Sequence, residues 1–236
     1  MEGAKNTQSL KAVGFDLDGT LYPNYSLYLR LLPKLILHPL FYRAFSKARS
    51  QLHVGQNDCP ESGASFYDRQ ASEMALILGK PAEQIKHKAE CLVYKNWENH
   101  FSGIKLFPHL KETLGALRGA GLRLAVLSDF PPVRKLSLLG LDGFFDTAIA
   151  SEETGALKPS GIPFSAMARA LNVRHDEILY VGNSAHFDVE GAKSAGMKAA
   201  LIRRDVFSTG RVPKNFAGKA DFVFRDYRQL REYILN

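Results

Sequence analysis

Four short stretches of this chain carry side chains able to do chemistry together. Asp16 and Asp18 stand two apart in Asp16-Leu17-Asp18-Gly19-Thr20-Leu21. Ser128 and Asp129 follow an apolar run, Lys158 precedes Pro159, and Asn183 follows Gly182 with Asp188 five residues on. A carboxylate can attack phosphorus and form an aspartyl phosphate. That attack needs a divalent cation to offset repulsion between carboxylate and phosphate. Mg²⁺ takes one or two carboxylates, substrate oxygen and water, and Asp16 and Asp188 suit it. Asp18 can instead protonate a leaving oxygen and then deprotonate the water that opens the acyl phosphate. Ser128 and Lys158 can give hydrogen bonds and positive charge to phosphoryl oxygens, with Asp129 beside them at the substrate. Taken singly, each has an ordinary role: a turn-forming Asp, a helix-capping Ser, a solvated Lys.

The elements that must position these groups are legible as apolar runs. Lys11–Phe15 reads as a buried strand running into the turn that holds Asp16 and Asp18. Leu122–Leu127 is a second strand, ending at Ser128-Asp129. Ala148–Ala150, after Thr147, ends a third ahead of Lys158. Glu177–Val181 is a fourth, ending at Gly182-Asn183. Lys198–Ile202 is a fifth, and Asp221–Phe224 a short sixth at an edge. Between them lie helical stripes: Leu110, Leu114 and Leu117, stopped by Gly119 and Gly121; Phe164, Met167, Ala168 and Leu171; and Val189, Ala192 and Ala195, closed by Gly196. Strands alternating with helices predict a doubly wound α/β domain with a parallel sheet. In an open parallel sheet, ligands bind beyond the carboxyl ends of the strands. All four reactive stretches fall at those ends, and chance would have scattered them over both.

Residues 22–105 break the alternation with no strand and a helical pattern, through Tyr67, Met74, Ala75 and Leu78, then Ile85, Ala89, Leu92 and Val93 up to Trp97. The expected organisation is a core domain of residues 1–21 and 106–236, with an α-helical domain of 22–105 inserted after the first strand. A length of 236 residues fits one large domain plus a small insertion at ~150 residues per domain. With 45% hydrophobic and 23% charged residues, 19 Gly and 11 Pro, the composition is that of a globular protein and excludes collagen-like and low-complexity classes. Cys59 and Cys91 form no Cys-x-x-Cys and read as incidental thiols.

The net charge is +7, with +4 over residues 22–105 and +5 over 198–236. A positive field favours anionic ligands such as phosphate esters, nucleic acid or an acidic membrane. No five contiguous Lys/Arg occur, so no nucleic-acid partner is expected. No apolar stretch approaches the ~20 residues of a membrane span, and Met1–Lys11 lacks the apolar middle of a signal peptide; the expected location is the cytoplasm. Leu27–Phe45 is basic and amphipathic, as interfacial helices are. Pro33 and Pro39 interrupt it, so packing into the insertion's own core is expected, and no membrane partner.

With these residues in place, the chain resembles the haloacid dehalogenase superfamily, in its phosphatase branch, over nearly its whole length. Asp16-x-Asp18-x-Thr20 looks like the first motif and Leu127-Ser128 like the second. Ser151-Glu152-Glu153-Thr154-Gly155 with Lys158-Pro159 looks like the third, and Val181-Gly182-Asn183-Ser184 with Asp188, Gly191 and Ala192 like the fourth. The helical insertion resembles the family's α-helical cap. The resemblance implies a Rossmann-like core and an Mg²⁺-dependent phosphohydrolase acting on a small phosphorylated substrate. Asp16 is then the nucleophile, Asp18 the acid/base whose backbone carbonyl also binds metal, and Asn183 and Asp188 the remaining metal-site residues. Asn183 departs from the usual Gly-Asp; its amide oxygen can ligate Mg²⁺ or hold a metal-bound water but carries no charge, so weaker metal binding is expected. Dehalogenases of the superfamily lack the second Asp, and Asp18 is present. A phosphomutase on the same fold, and a catalytically weak relative binding an anionic partner, stay open as alternatives.

Overall fold

A computed structural model of the chain describes residues 10–54, 64–95, 100–203 and 220–236. Cys59 and Trp97 lie outside them, while the Cys91 Sγ lies 3.8 Å from His87 Nε2. Six strands form one sheet: β1 (Ala12–Phe15), β2 (Arg123–Ser128), β3 (Thr147–Ala150), β4 (Ile178–Gly182), β5 (Lys198–Ile202) and β6 (Phe222–Phe224). All pairings are parallel and the order is β3-β2-β1-β4-β5-β6. The chain lays β2 and β3 on one side of β1, then returns to place β4 on the other. That reversal between β1 and β4 opens a crevice at the strands' carboxyl ends.

The strands are apolar on both faces because both are covered. Val13, Phe15, Leu124, Val126, Leu179 and Val181 face one side, packed with α5 (Leu110–Gly119) and the C-terminal helix Tyr227–Leu235. Ala12, Ala125, Leu127, Ile178 and Tyr180 face the other, packed with α7 (Gly161–Leu171) and the short α8 (Gly191–Ser194). The expected helix through Val189 is not uniform. The chain winds wider over Ala185–Glu190, where the Val189 N–H reaches back five residues to the Ser184 carbonyl at 3.1 Å, and tightens only at Gly191. Sequence reading passed over α6 (Val133–Leu138) and the C-terminal helix, here α9.

Between β1 and α5 the described residues hold four α-helices, α1 (Asn24–Leu37), α2 (Pro39–Val54), α3 (Phe66–Leu78) and α4 (Ala82–Ala89), the last running on into a wider turn over Glu90–Tyr94. Pro39 opens α2, where its missing N–H costs nothing, whereas Pro33 lies inside α1. Ser65 and Asp68 close a reciprocal cap on α3, and Gly79 ends it in the left-handed conformation. Phe41, Phe45, Ala48, Met74, Ile85 and Val93 make the insertion's own core. The expectation that Leu27–Phe45 packs there holds for Phe41 to Phe45 and fails for α1. Leu27 and Leu31 pack instead on the sheet-side cluster with Tyr22 and Phe101, and most other large apolar side chains of α1 face outward. The break at His38–Pro39 splits the stretch into two helices with different partners, with Pro33 left inside the first.

Close packing of α7 on α8 leaves no room for a side chain at Gly191. A Cβ there would stand 2.6 Å from the Phe164 ring and 3.0 Å from the Pro159 Cα. Neither a buried ring nor backbone gives way cheaply, so Gly191→Ala is expected to cost about 1–3 kcal/mol. Denaturant unfolding checks this; a midpoint equal to that of the unaltered chain contradicts the packing.

Candidate active site

The β1–β4 pairing brings two site stretches level. Phe15 pairs with Val181, and the Asp16 N–H donates to the Val181 carbonyl at 2.9 Å. Asp16 thus leaves the sheet beside Gly182-Asn183. Lys158 arrives from the loop after β3, and its Nζ lies 2.7 Å from Asp16 Oδ1 and 2.7 Å from Asp188 Oδ1. It also donates to the Tyr180 hydroxyl at 3.3 Å, which in turn donates to the Leu127 carbonyl at 3.1 Å. Lys158, Asp16 and Asp188 are all buried.

Both carboxylates are held at their second oxygen too. Thr20 Oγ1 donates to Asp16 Oδ2 at 2.7 Å. The N–H groups of Asn183 and Ser184 donate to Asp188 Oδ2 at 3.0 and 2.9 Å. The wide turn 185–190 curls Asp188 back under the end of β4. Its approach requires glycine at 182, where a Cβ would stand 2.3 Å from the Asp188 Cβ. Burial pushes the Asp16 carboxyl up to about 7, with Asp188 adding and Lys158 opposing. Burial pulls Lys158 down, but Asp16 and Asp188 together hold it well above the usual lysine range, so it stays an ammonium.

Asp18 points elsewhere. Its carboxylate accepts hydrogen bonds from the Tyr22 hydroxyl and, at 3.0 Å, from Lys135 Nζ. Burial holds the Tyr22 hydroxyl in its protonated form. The Asp18 backbone carbonyl faces the Asn183 amide, with Nδ2 at 3.4 Å. Gly19, at φ +89°, makes the turn between them; a Cβ there would collide with that amide at 2.0 Å. Two carboxylates two residues apart are therefore given to two different lysines.

Ser128 ends β2, one strand over from β1; it is buried, and its Oγ accepts the Phe130 N–H at 3.3 Å. Asp129 faces the helical insertion: its carboxylate lies 3.9 Å from His53 Nε2, and its carbonyl accepts from Arg49 at 3.3 Å. The structure thus gathers Asp16, Lys158, Asp188 and Asn183 into one cluster with Asp18 adjoining. Ser128 stands at the next strand end, and Asp129 at the border with the insertion.

Sequence reasoning missed Lys135 and Arg49. Lys135 is buried on α6, against the rings of Phe101 and Phe130 at 5.0 and 5.1 Å. Its signal was position: a cation in the first helical turn after a strand's carboxyl end, seven residues beyond Ser128. Arg49 is buried on α2 and pairs with Glu152 at 2.8 Å, while its guanidinium lies 4.0 Å from the Phe130 ring centre. Tyr67 and Tyr94 also donate to Glu152, at 3.2 and 3.3 Å. Burial pushes the Glu152 carboxyl up and Arg49 pulls it back. Partners over a hundred residues apart leave no local pattern.

Comparison with known proteins bears on the fold and the family. The haloacid dehalogenase-like hydrolase family model matches residues 10–196. A glyceraldehyde 3-phosphate phosphatase of Methanothermobacter thermautotrophicus is 29% identical over 230 residues, covering 95% of this chain and 100% of the relative. A solved phosphatase of the superfamily from Thermococcus onnurineus superposes with a TM-score of 0.60 at 27% identity, covering 94% of this chain and 97% of its own. The solved L-2-haloacid dehalogenase RSc1362 superposes at 0.66 with 21% identity, covering 97% and 100%, a likeness of fold. The chain belongs to the haloacid dehalogenase-like hydrolase family, and it is a hydrolase.

The Arg49–Glu152 pair ties the insertion to the core and can be tested apart from catalysis. Removing one partner of a buried pair strands the other charge, so Arg49→Met is expected to cost about 3–5 kcal/mol. The double variant Arg49→Met/Glu152→Gln is expected to cost less than the two single changes added together. A double-mutant cycle by chemical denaturation reads this; additive losses would show that the pair does not couple insertion to core.

Proposed function

We propose that the protein is a cytoplasmic, Mg²⁺-dependent phosphomonoesterase that acts on a small phosphorylated metabolite through an aspartyl phosphate on Asp16. In this reading residues 1–21 and 106–236 are the catalytic core and 22–105 the cap. The observation that carries it is the division of labour between the two aspartates at the β1–β4 crevice. Asp16 is clamped by Lys158 and Thr20, aimed and unable to wander. Asp18 is held apart by Lys135 and Tyr22, free for proton work. The relative named glyceraldehyde 3-phosphate phosphatase, alignable over nearly the whole chain, supports a substrate of that size.

The residues fit a small hard cation. Among the described residues no three or more His, Cys, Asp or Glu side chains stand in metal-holding geometry. Mg²⁺ asks for fewer: one or two carboxylates with carbonyl and water oxygens. Asp16, Asp188, the Asp18 carbonyl and the Asn183 side-chain oxygen would hold it. The cation, when bound, offsets charge between carboxylate and phosphate. An Asp16 carboxylate oxygen attacks phosphorus as the ester P–O bond breaks, and Asp18 gives its proton to the departing alcohol oxygen. Water then attacks the aspartyl phosphate, Asp18 takes its proton, and the bond to Asp16 breaks. Lys158 and Ser128 supply charge and a hydrogen bond to the phosphoryl oxygens; Asp129 lines the substrate side beneath the cap.

Two tests follow from these roles. Hydrolysis of an aryl phosphate is expected to vanish in Asp16→Asn and to fall roughly 10²–10⁴-fold in Asp18→Asn. The Asp18→Asn deficit is expected to be smallest for leaving groups that need no proton; turnover surviving in Asp16→Asn excludes the covalent route. Asn183→Asp adds a negative charge beside the cation, so the half-saturating Mg²⁺ concentration is expected to fall. Asp188→Asn, which also takes a partner from Lys158, is expected to be far more damaging. An Mg²⁺ titration of activity decides; an unchanged requirement in Asn183→Asp removes residue 183 from the metal site.

A further inference from the structure

The outward face of α1 is built unlike the surface of a freely tumbling protein. At about 100° per residue, Tyr25, Tyr28, Leu29, Leu32 and Ile36 fall in one arc of roughly 100° with no polar residue inside it. All five are exposed, Leu29 by 66% and Ile36 by 69%. Leu37 and Leu40, at 72% and 71%, carry the patch around the corner into α2. Contiguous exposed apolar patches of this kind mark interaction sites. The opposite arc already holds Leu27 and Leu31 in the core, so the helix cannot roll to hide both.

The charge around the patch selects the occupant. Between Asp18 and Asp58 the sequence contains no Asp or Glu; Arg43 and Lys47 are exposed on α2, Arg30 and Lys34 lie on the flank of α1, and Arg49 is buried against Glu152. Arg43 and Lys47 follow Leu40 at i+3 and i+7, on the exposed face of α2. A two-fold contact with a second copy sets the same patch against itself, which here opposes the α2 cations to each other with no acid from α1 or α2 to answer. An anionic lipid surface instead accepts leucines and isoleucine below the headgroups, tyrosines among them and lysine and arginine at the phosphates. The geometry points to peripheral docking of the α1–α2 corner on an anionic membrane surface. No spanning segment is implied: among the described residues no helix is long and apolar enough to cross a bilayer. The docking stands on exposure and charge alone, independent of the proposed activity.

The test is co-sedimentation of the full chain with vesicles of phosphatidylcholine alone, or with about 30% phosphatidylserine. Binding to the anionic vesicles is expected to exceed binding to neutral ones about tenfold or more, and to weaken as salt is raised. The variant Leu32→Ser/Ile36→Ser/Leu37→Ser is expected to lose about 100-fold in partitioning, while its unfolding midpoint and its turnover of a soluble aryl phosphate stay those of the unaltered chain. Arg43→Glu/Lys47→Glu is expected to abolish the preference for anionic vesicles. Failure to bind anionic vesicles, or equal binding by the triple variant, overturns the proposal. So does a dimer in size-exclusion chromatography that the triple variant dissolves without any vesicle binding, which would give the face to a second copy.

Discussion

Lys158 places one ammonium between two buried carboxylates, and much of the structure exists to keep it there. A buried ion is costly unless paired and fully hydrogen-bonded. With Asp16 ionised, one positive and two negative charges share a pocket, leaving one negative charge in excess, and burial answers by lifting the Asp16 carboxyl to about 7. The surroundings offset that excess with neutral donors, Thr20 on Asp16 and two backbone N–H groups on Asp188, while the Tyr180 hydroxyl accepts from the ammonium. The special backbone nearby serves the same end. Gly182 lets Asp188 approach the strand, and Gly19 lets the chain turn beneath the Asn183 amide. A pocket with surplus negative charge and oxygen donors is also one prepared for a further cation.

The helical insertion is part of this arrangement, because its contacts with the core concentrate on the segment that delivers Lys158. Arg49 pairs with Glu152, Arg69 donates to the Gly155 carbonyl, and His53 Nδ1 lies 2.5 Å from the carbonyl of Lys158 itself. All three arise from α2 and α3; all three receivers lie within residues 152–158. A shift of the insertion against the core would drag the lysine's backbone with it. The insertion therefore restrains a catalytic candidate from behind, at main-chain atoms, as well as bordering the crevice through Asp129.

What was legible in the sequence follows from how locally each feature is encoded. The sheet was readable because continuous apolar runs can be buried only between two layers, and the polar residues after them fall at one edge by connectivity alone. Asp16, Lys158, Asn183 and Asp188 were found on that ground. Lys135 and Arg49 were not, because their partners, Asp18 and Glu152, lie over a hundred residues away and buried cations resemble solvated ones in sequence. The C-terminal helix was readable and passed over: Tyr227, Leu230 and Ile234 form its buried stripe. In α1 apolar residues fall on two arcs beside Arg30 and Lys34, and only packing decided which arc went inside.

That choice of arc links the outer surface to the chemistry. Leu27 and Leu31 sit in the same cluster as Tyr22 and Phe101. Tyr22 binds Asp18, its ring meets Phe101 edge-on at 5.8 Å, and Phe101 in turn borders Lys135. The pairing that orients the second aspartate thus rests on the inner face of the helix whose outer face is apolar. Packed interiors transmit displacement because they contain few voids to absorb it. Whatever covers the outer arc bears on α1, and α1 bears directly on the wall that positions Asp18, while Asp16 hangs from a different wall through Lys158. The two aspartates are thus separated in their cations, Asp16 on Lys158 and Asp18 on Lys135, and α1 packs beside the second pairing.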